Sequence, residues 1–251
     1  MQETTSPERK GFTGYTLKLI AIVTMFIDHI GAVVIENGIL RNPNIDLTTT
    51  ILGITQVRFW GYIDFALRTV GRLSFPIFCF LLVQGFVHTR NLKHYSMRLL
   101  IFALVSEVPF DLALSGEWFH PEYQNVLFTL LLGLWVLSAY KKAYGDPLKQ
   151  ALAIIAGCGA AVFLRCDYNI IGIALILIFY IYRDNHKIQS LLAGFLAALE
   201  SAYCLGAGAL SLFAIRNYNG ERGKNCLSKL FYWFYPVHLL LLYILSLLIL
   251  K

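Results

Sequence analysis

A few ionisable side chains sit where an apolar chain should not carry them. Lys18, Asp28 and His29 all fall within the first long apolar run, Tyr15 to Ile35. An ionisable group inside a bilayer costs roughly 2.5–3.5 kcal/mol even on lenient insertion scales, so as a rule it faces protein or a watered cavity. Lys18 and His29 are eleven positions apart. At about 100° and 1.5 Å per residue both lie on one helical stripe, with Ile22 and Met25 between them, roughly 16 Å apart along the axis. Asp28 adjoins His29 but points about 100° away, so it is expected to pair with another helix rather than to orient the imidazole. Near the C-terminus Tyr235 and His238 share a face, and mid-chain Glu107 and Asp111 share another with Pro109 between them. Counted from the nearest basic residue below each, His29, His238 and Glu107 reach a similar height, about 13–16 Å. An imidazole takes and returns a proton near neutral pH. Three readings are open: activation of a nucleophile inside the bilayer, a proton relay for transport, and a polar network that binds helices together while Lys18 snorkels to the headgroups.

Cations gather around the foot of that first run: Lys18, Arg90, Lys93, Arg98, Arg216, Arg222 and Lys224. Such a cluster suits the phosphates of a soluble, nucleotide-containing donor. It equally suits orientation in the membrane and contact with anionic lipid. Arg68 and Arg72 share a face further up. Either can meet an anionic part of a substrate or anchor at headgroups, and anchoring is the expectation for Arg68.

The elements that must carry these residues follow from composition. The chain has 251 residues, 57% hydrophobic and 14% charged, with mean hydropathy +0.62. Soluble domains are nearer 25% charged. The sequence predicts an all-α, polytopic membrane bundle in a single domain, 1–251, after a polar segment 1–13. Fourteen Tyr, eighteen Phe and four Trp fit interfacial belts. The net charge of +6 follows from basic loops on one side and implies no nucleic acid. The five cysteines form no close pair, so neither a metal site nor a disulfide framework is expected. Arg9 and Lys10 before an apolar run resemble a signal peptide, but Asp28-His29 inside the run and the lack of a small-x-small site predict that it stays attached.

Spans are expected at about 15–36, 70–89, 96–115, 125–140, 148–164, 168–182, two short ones within 188–215, and 229–250. Segment 37–57 reads as a loop and 57–69 as an amphipathic or re-entrant approach. Nine spans with the N-terminus inside put most of the 21 lysines and arginines in inner loops, the positive-inside bias.

Several strings then stand together: KLIAIVTMFIDHIG (Lys18–Gly31), GRLSFPIFCFLLVQGF (Gly71–Phe86) followed by HTRN, RLLIFALVSEVPFDL (Arg98–Leu112), QNVLFTLLLG (Gln124–Gly133), YNGERG (Tyr218–Gly223) and FYWFYPVHLLLL (Phe231–Leu242). Together they resemble the TraX family, in that family's order, over most of 18–242. The family's named activity is acetylation of a pilin N-terminus, and it is similar to wider transmembrane acyltransferases such as the acyltransferase-3 family and heparan-α-glucosaminide N-acetyltransferase. Acyltransferase-3 proteins place an arginine before their essential histidine with ten residues between; here the pair is Lys18 and His29, a departure at the basic member. The resemblance implies a transferase of a bacterial cytoplasmic membrane, taking acetyl-CoA from the cytoplasm and an acceptor from the outer side. That acceptor is a protein N-terminus or a small or surface molecule. His29 is then general base or carries the acetyl group, Lys18 and the basic loops meet the coenzyme phosphates, and Tyr235, His238, Arg72, Gln84 and Asn125 match family strings as further site residues. The rivals are a proton-coupled transporter using His29, Glu107 and His238, and a non-enzymatic assembly factor for a surface structure.

Overall fold

The computed structural model describes residues 10–43, 45–223 and 230–249, with Leu230 described by its backbone alone. Helix α1 (Gly14–His29) continues directly into a π-helical stretch, Ile30–Leu40. A two-stranded hairpin follows, β1 (Thr50–Ile51) and β2 (Ile54–Thr55). Then come α2 (Gln56–Gly71), α3 (Ser74–His88), α4 (Leu92–Ser115), α5 (Val126–Lys142), α6 (Pro147–Phe163), α7 (Asn169–Ile181) and α8 (His186–Glu200). Two 3₁₀ turns at Ala202–Cys204 and Ala207–Leu210 lead to the short α9 (Ser211–Arg216), and α10 (Leu230–Ile249) ends the described chain. The all-α expectation holds, since the hairpin is the only strand pair among the described residues.

The helices begin where side chains can satisfy their first amides. Thr13, Asn91, Asn125, Asp146 and Asn185 each accept a hydrogen bond from a first-turn N–H of α1, α4, α5, α6 and α8, the expected use of short polar residues at a helix start. Gly116, at φ 74°, closes α4 in the left-handed region that glycine enters without a Cβ penalty.

Three helical stretches are long and apolar enough to cross a membrane: Gly14–Leu40, Gln56–His88 and Phe231–Ile249. Shorter apolar helices are Pro147–Phe163, Asn169–Ile181 and Ala207–Arg216. Large apolar side chains cover the outside as well as the core: Leu19, Val23, Leu104, Leu152, Ile155, Leu191, Phe195, Leu241 and Leu248 are all exposed. So broad an apolar exterior is a liability in water and a requirement in lipid.

Two differences from the sequence reading matter. The chain 37–57 is not simply a loop, because the first helix runs on to Leu40 and a hairpin follows. The approach 57–69 is a full helix, α2, antiparallel to the far half of α1, and α3 continues along the near half. Contacts sort the two ends of the bundle. At one end the amides of Phe12, Gly14 and Tyr15 donate to the carbonyls of Asn217, Glu221 and Arg222. At the other, Asn37 donates to the carbonyls of Ala113 and Leu114, which the end of α4 leaves unpaired.

Helices α1 and α2 touch through glycine. A Cβ on Gly71 would overlap the Asp28 side chain, and one on Gly31 would meet Asp64 Oδ1 at 2.9 Å. Gly71→Ala is therefore expected to force the two helices apart and lower stability by about 1–3 kcal/mol, the usual penalty of overpacking. A thermal unfolding midpoint unchanged from wild type in detergent would refute the close approach.

Candidate functional site

Halfway along the bundle, where α1 gives way to the π-helical stretch and α2 to α3, lies a partly open cavity of about 150 Å³. Its polar lining includes Asp28, His29, Arg68, Arg72, Tyr123 and Asp167. Asp28 sets the local electrostatics. Its carboxylate accepts from Arg72 Nη2 at 2.7 Å and also from Arg68 Nη1. Arg72 in turn lies 3.5 Å from Glu200 and over the ring of Tyr203. Asp28 thus pairs with another helix, as the helical geometry requires. Arg68 turns inward to it instead of reaching for headgroups.

His29 faces the other way, toward α10. Its Nδ1 lies 2.8 Å from His238 Nε2, and His238 Nδ1 lies 2.7 Å from the carbonyl oxygen of Phe234. His238 is buried, stacked on Phe234 and edged by Phe26. Tyr235 lines the cavity beside His29. Pro236, two residues before His238, removes one helical amide from α10. Of the three groups expected at one height, His29, His238 and Glu107, the two histidines meet.

Glu107 stands apart. It accepts from Asn125 Nδ2 and does not border this cavity. Asn125 is wholly buried, caps α5 and also donates to the carbonyl of Ala103, which ties α5 to α4. Gln84 lies toward the opposite end of α3, where its carbonyl meets His88 Nδ1. Lys18 and Arg98 flank the start of α10, Lys18 over Phe231 and Arg98 over Tyr232. Arg90, Lys93 and Arg222 are exposed; the backbone of Arg222 is bonded to the start of α1. Lys224 falls outside the described residues.

Sequence reading missed the side of the cavity built by the turn between α6 and α7. Arg165, Tyr168 and Asn169 all take positive φ, at 52°, 59° and 40°, a region that non-glycine residues enter at a cost of about 1–3 kcal/mol each. The turn is held by the Asp167 amide donating to Gln124 O at 2.9 Å and by Thr129 donating to the Asp167 carbonyl. Tyr168 stacks on Phe75 at 3.5 Å, and Tyr123 donates to Asp167 Oδ1 at 2.6 Å. Tyr123, Phe110 and Leu114 also wall a second cavity of about 310 Å³ beside Asp111 and His120, at the end away from Lys18.

Fold and site together define a helical membrane protein with a polar cavity between its helices and, on the cavity wall, a histidine hydrogen-bonded to a second histidine. The family model described as TraX protein matches residues 13–246, and the chain belongs to the TraX family. It is also similar to a probable fimbrial assembly protein FimC, serogroup H1, of Dichelobacter nodosus, at 31% identity over 265 residues, covering 92% of this chain and 94% of that protein. No solved structure matches.

The ion network makes a graded prediction. Asp28→Ala leaves two inward guanidiniums without their carboxylate and is expected to cost about 3–5 kcal/mol, as for other broken buried pairs. Glu36→Gln removes an exposed partner of Arg41 and should cost no more than about 1 kcal/mol. Equal loss of unfolding midpoint from the two would contradict the burial difference.

Proposed function

We propose that this protein is a transmembrane acetyltransferase that moves an acetyl group from cytoplasmic acetyl-CoA to an amine or hydroxyl acceptor, with His29 as general base. The observation that carries this reading is His29 on the wall of the mid-bundle cavity, on the same α1 stripe as Lys18. The TraX membership supports it, because pilin N-terminal acetylation is the activity named for that family. The FimC relative's name supports a pilus or other surface structure as the setting.

The chemistry asks for three things. The acceptor X–H must lie within about 2.6–3.2 Å of an imidazole nitrogen. That nitrogen takes the proton as X attacks the thioester carbon; the C–X bond forms, the C–S bond breaks, and the departing sulfur takes the proton back. Water must be kept from the thioester, a task for the apolar lining residues Met25, Ala32, Phe75, Phe78 and Val126. Finally, nearby carboxylates must not hold a permanent proton on the base, and Asp28 and Glu200 are already paired with Arg68 and Arg72.

Acetyl-CoA carries its phosphates at the far end of a long arm from its thioester. Lys18, about 16 Å below His29 on α1, would hold those phosphates together with Arg98, Arg222, Arg90 and Lys93. In this reading the basic end faces the cytoplasm of a bacterial inner membrane, the N-terminus lies inside, and nine spans cross. Tyr235 would shape the cavity beside the base. Arg72, Gln84 and Asn125 would act on the acceptor only indirectly, and Glu107 through Asn125.

Acetyl-CoA binding and hydrolysis by the purified protein test the reading directly. His29→Ala is expected to reduce turnover by about 10²-fold or more, the range for a lost general base. Lys18→Gln should raise KM for acetyl-CoA with kcat little changed, the pattern of lost uniform binding. Undiminished hydrolysis by His29→Ala would remove the mechanism. Absence of saturable coenzyme binding, with pH-driven flux in vesicles, would favour the transporter, and full biological function of His29→Ala the assembly factor.

A further inference from the structure

We infer that His238 is a positioning residue that holds His29 in its Nδ1–H tautomer and thereby makes Nε2 the basic atom. The assignment follows from the direction in which each hydrogen bond can run. The carbonyl oxygen of Phe234 can only accept, so His238 Nδ1, 2.7 Å away, must carry the hydrogen. A neutral imidazole has one N–H, so His238 Nε2 is then an acceptor. His29 Nδ1, 2.8 Å from it, must be the donor. The remaining nitrogen of His29, Nε2, has its lone pair free and no hydrogen-bond partner among the described residues. One carbonyl on α10 thus fixes the protonation pattern of two rings on two helices.

Packing makes the arrangement rigid. The His238 ring lies nearly parallel to Phe234, at 16° and 4.7 Å, and meets Phe26 edge-on at 6.0 Å. The residue is 2% exposed, so water is a poor substitute for the missing acceptor when the ring is removed. Geometry of this kind, in which the bond made by one nitrogen decides the state of the other, is how a protein selects a histidine tautomer. A proton arriving at His29 Nε2 gives an imidazolium whose Nδ1–H already points at an acceptor, so no group has to reorganise when the charge appears.

The consequence for turnover rests on the acetyl-transfer reading; the tautomer itself does not. Two measurements therefore separate the claims. The chain has 6 histidines, few enough for selective ¹⁵N labelling of the protein in lipid nanodiscs, with H29Q identifying the His29 signals. At about pH 8, where an ordinary imidazole is neutral, wild-type His29 should show a protonated Nδ1 and a bare Nε2. H238L removes the acceptor, and H238F removes it while keeping the stacking. In whichever of the two folds, the Nε2–H form should appear. H238Q can place an amide oxygen where the ring Nε2 stood, and should restore the Nδ1–H form. Acetyl-CoA hydrolysis should follow the tautomer, falling about 10²-fold or more in H238L and H238F and staying within about threefold of wild type in H238Q, with the KM for acetyl-CoA unchanged throughout. Wild-type His29 carrying its proton on Nε2, or an unaltered tautomer in both H238L and H238F, overturns the inference. So does an H238Q protein that hydrolyses no better than H238L. Wild-type protein that does not hydrolyse acetyl-CoA defeats the proposed function instead, and the labelling experiment still decides the tautomer.

Discussion

The structure depends on one buried carboxylate. Asp28 lies mid-helix in an apolar bundle, and an unpaired charge there would cost several kcal/mol. Two arginines one turn apart, Arg68 on α2 and Arg72 at its C-cap, answer it, and the absence of a side chain at Gly71 lets the helix come close enough. Glu200 supplies a second negative charge against Arg72, so two carboxylates face two guanidiniums and little net charge remains. This clamp fixes α2 against α1. Because neighbours on a helix point about 100° apart, fixing Asp28 toward α2 also turns His29 toward α10. One dipeptide therefore joins the bundle on two sides, and the cavity opens between the two attachments.

Irregular backbone concentrates at the same level. The α-to-π change follows His29, the break between α2 and α3 follows Gly71, Pro236 interrupts α10, and the turn at 165–169 holds three residues in the left-handed region. In a membrane such features are tolerated where they line a cavity or find internal partners. A widened π turn is also a common companion of functional sites in helices. These departures leave room among the helices at mid-height, where regular helices would close it with side chains.

Part of this was legible in the sequence. The apolar runs gave most of the helices, and counting residues from the basic ends put His29 and His238 at one height. They proved to be hydrogen-bonded. The same counting put Glu107 at that height too, and it shares the α4 stripe of the cavity residues Phe110 and Leu114, but it accepts from Asn125 and does not border the cavity. The continuation to Leu40 was not legible because Asn37 and Gly38 read as the start of a loop after the apolar run. Tyr123, Asp167 and Tyr168 were not legible because a strained turn, and no helical stripe, brings them to the cavity. Arg68 looked like a headgroup anchor because its partner lies forty positions away in sequence and only the packing of α2 on α1 brings them together.

The two polar systems at the site are finished to different degrees, and the contrast bears on what the histidines are for. A network that only binds helices is most stable when every buried donor and acceptor is used, because each unused one costs its desolvation. Around Asp28 both carboxylate oxygens are taken by guanidinium groups. The histidine chain is complete from Phe234 through His238 to one nitrogen of His29, and then stops at the other nitrogen of this cavity-lining residue. A basic atom left unpaired at the end of an otherwise satisfied chain gains nothing for stability. It is useful to a proton donor that comes and goes, and the hydroxyl or amine of an acceptor is such a donor.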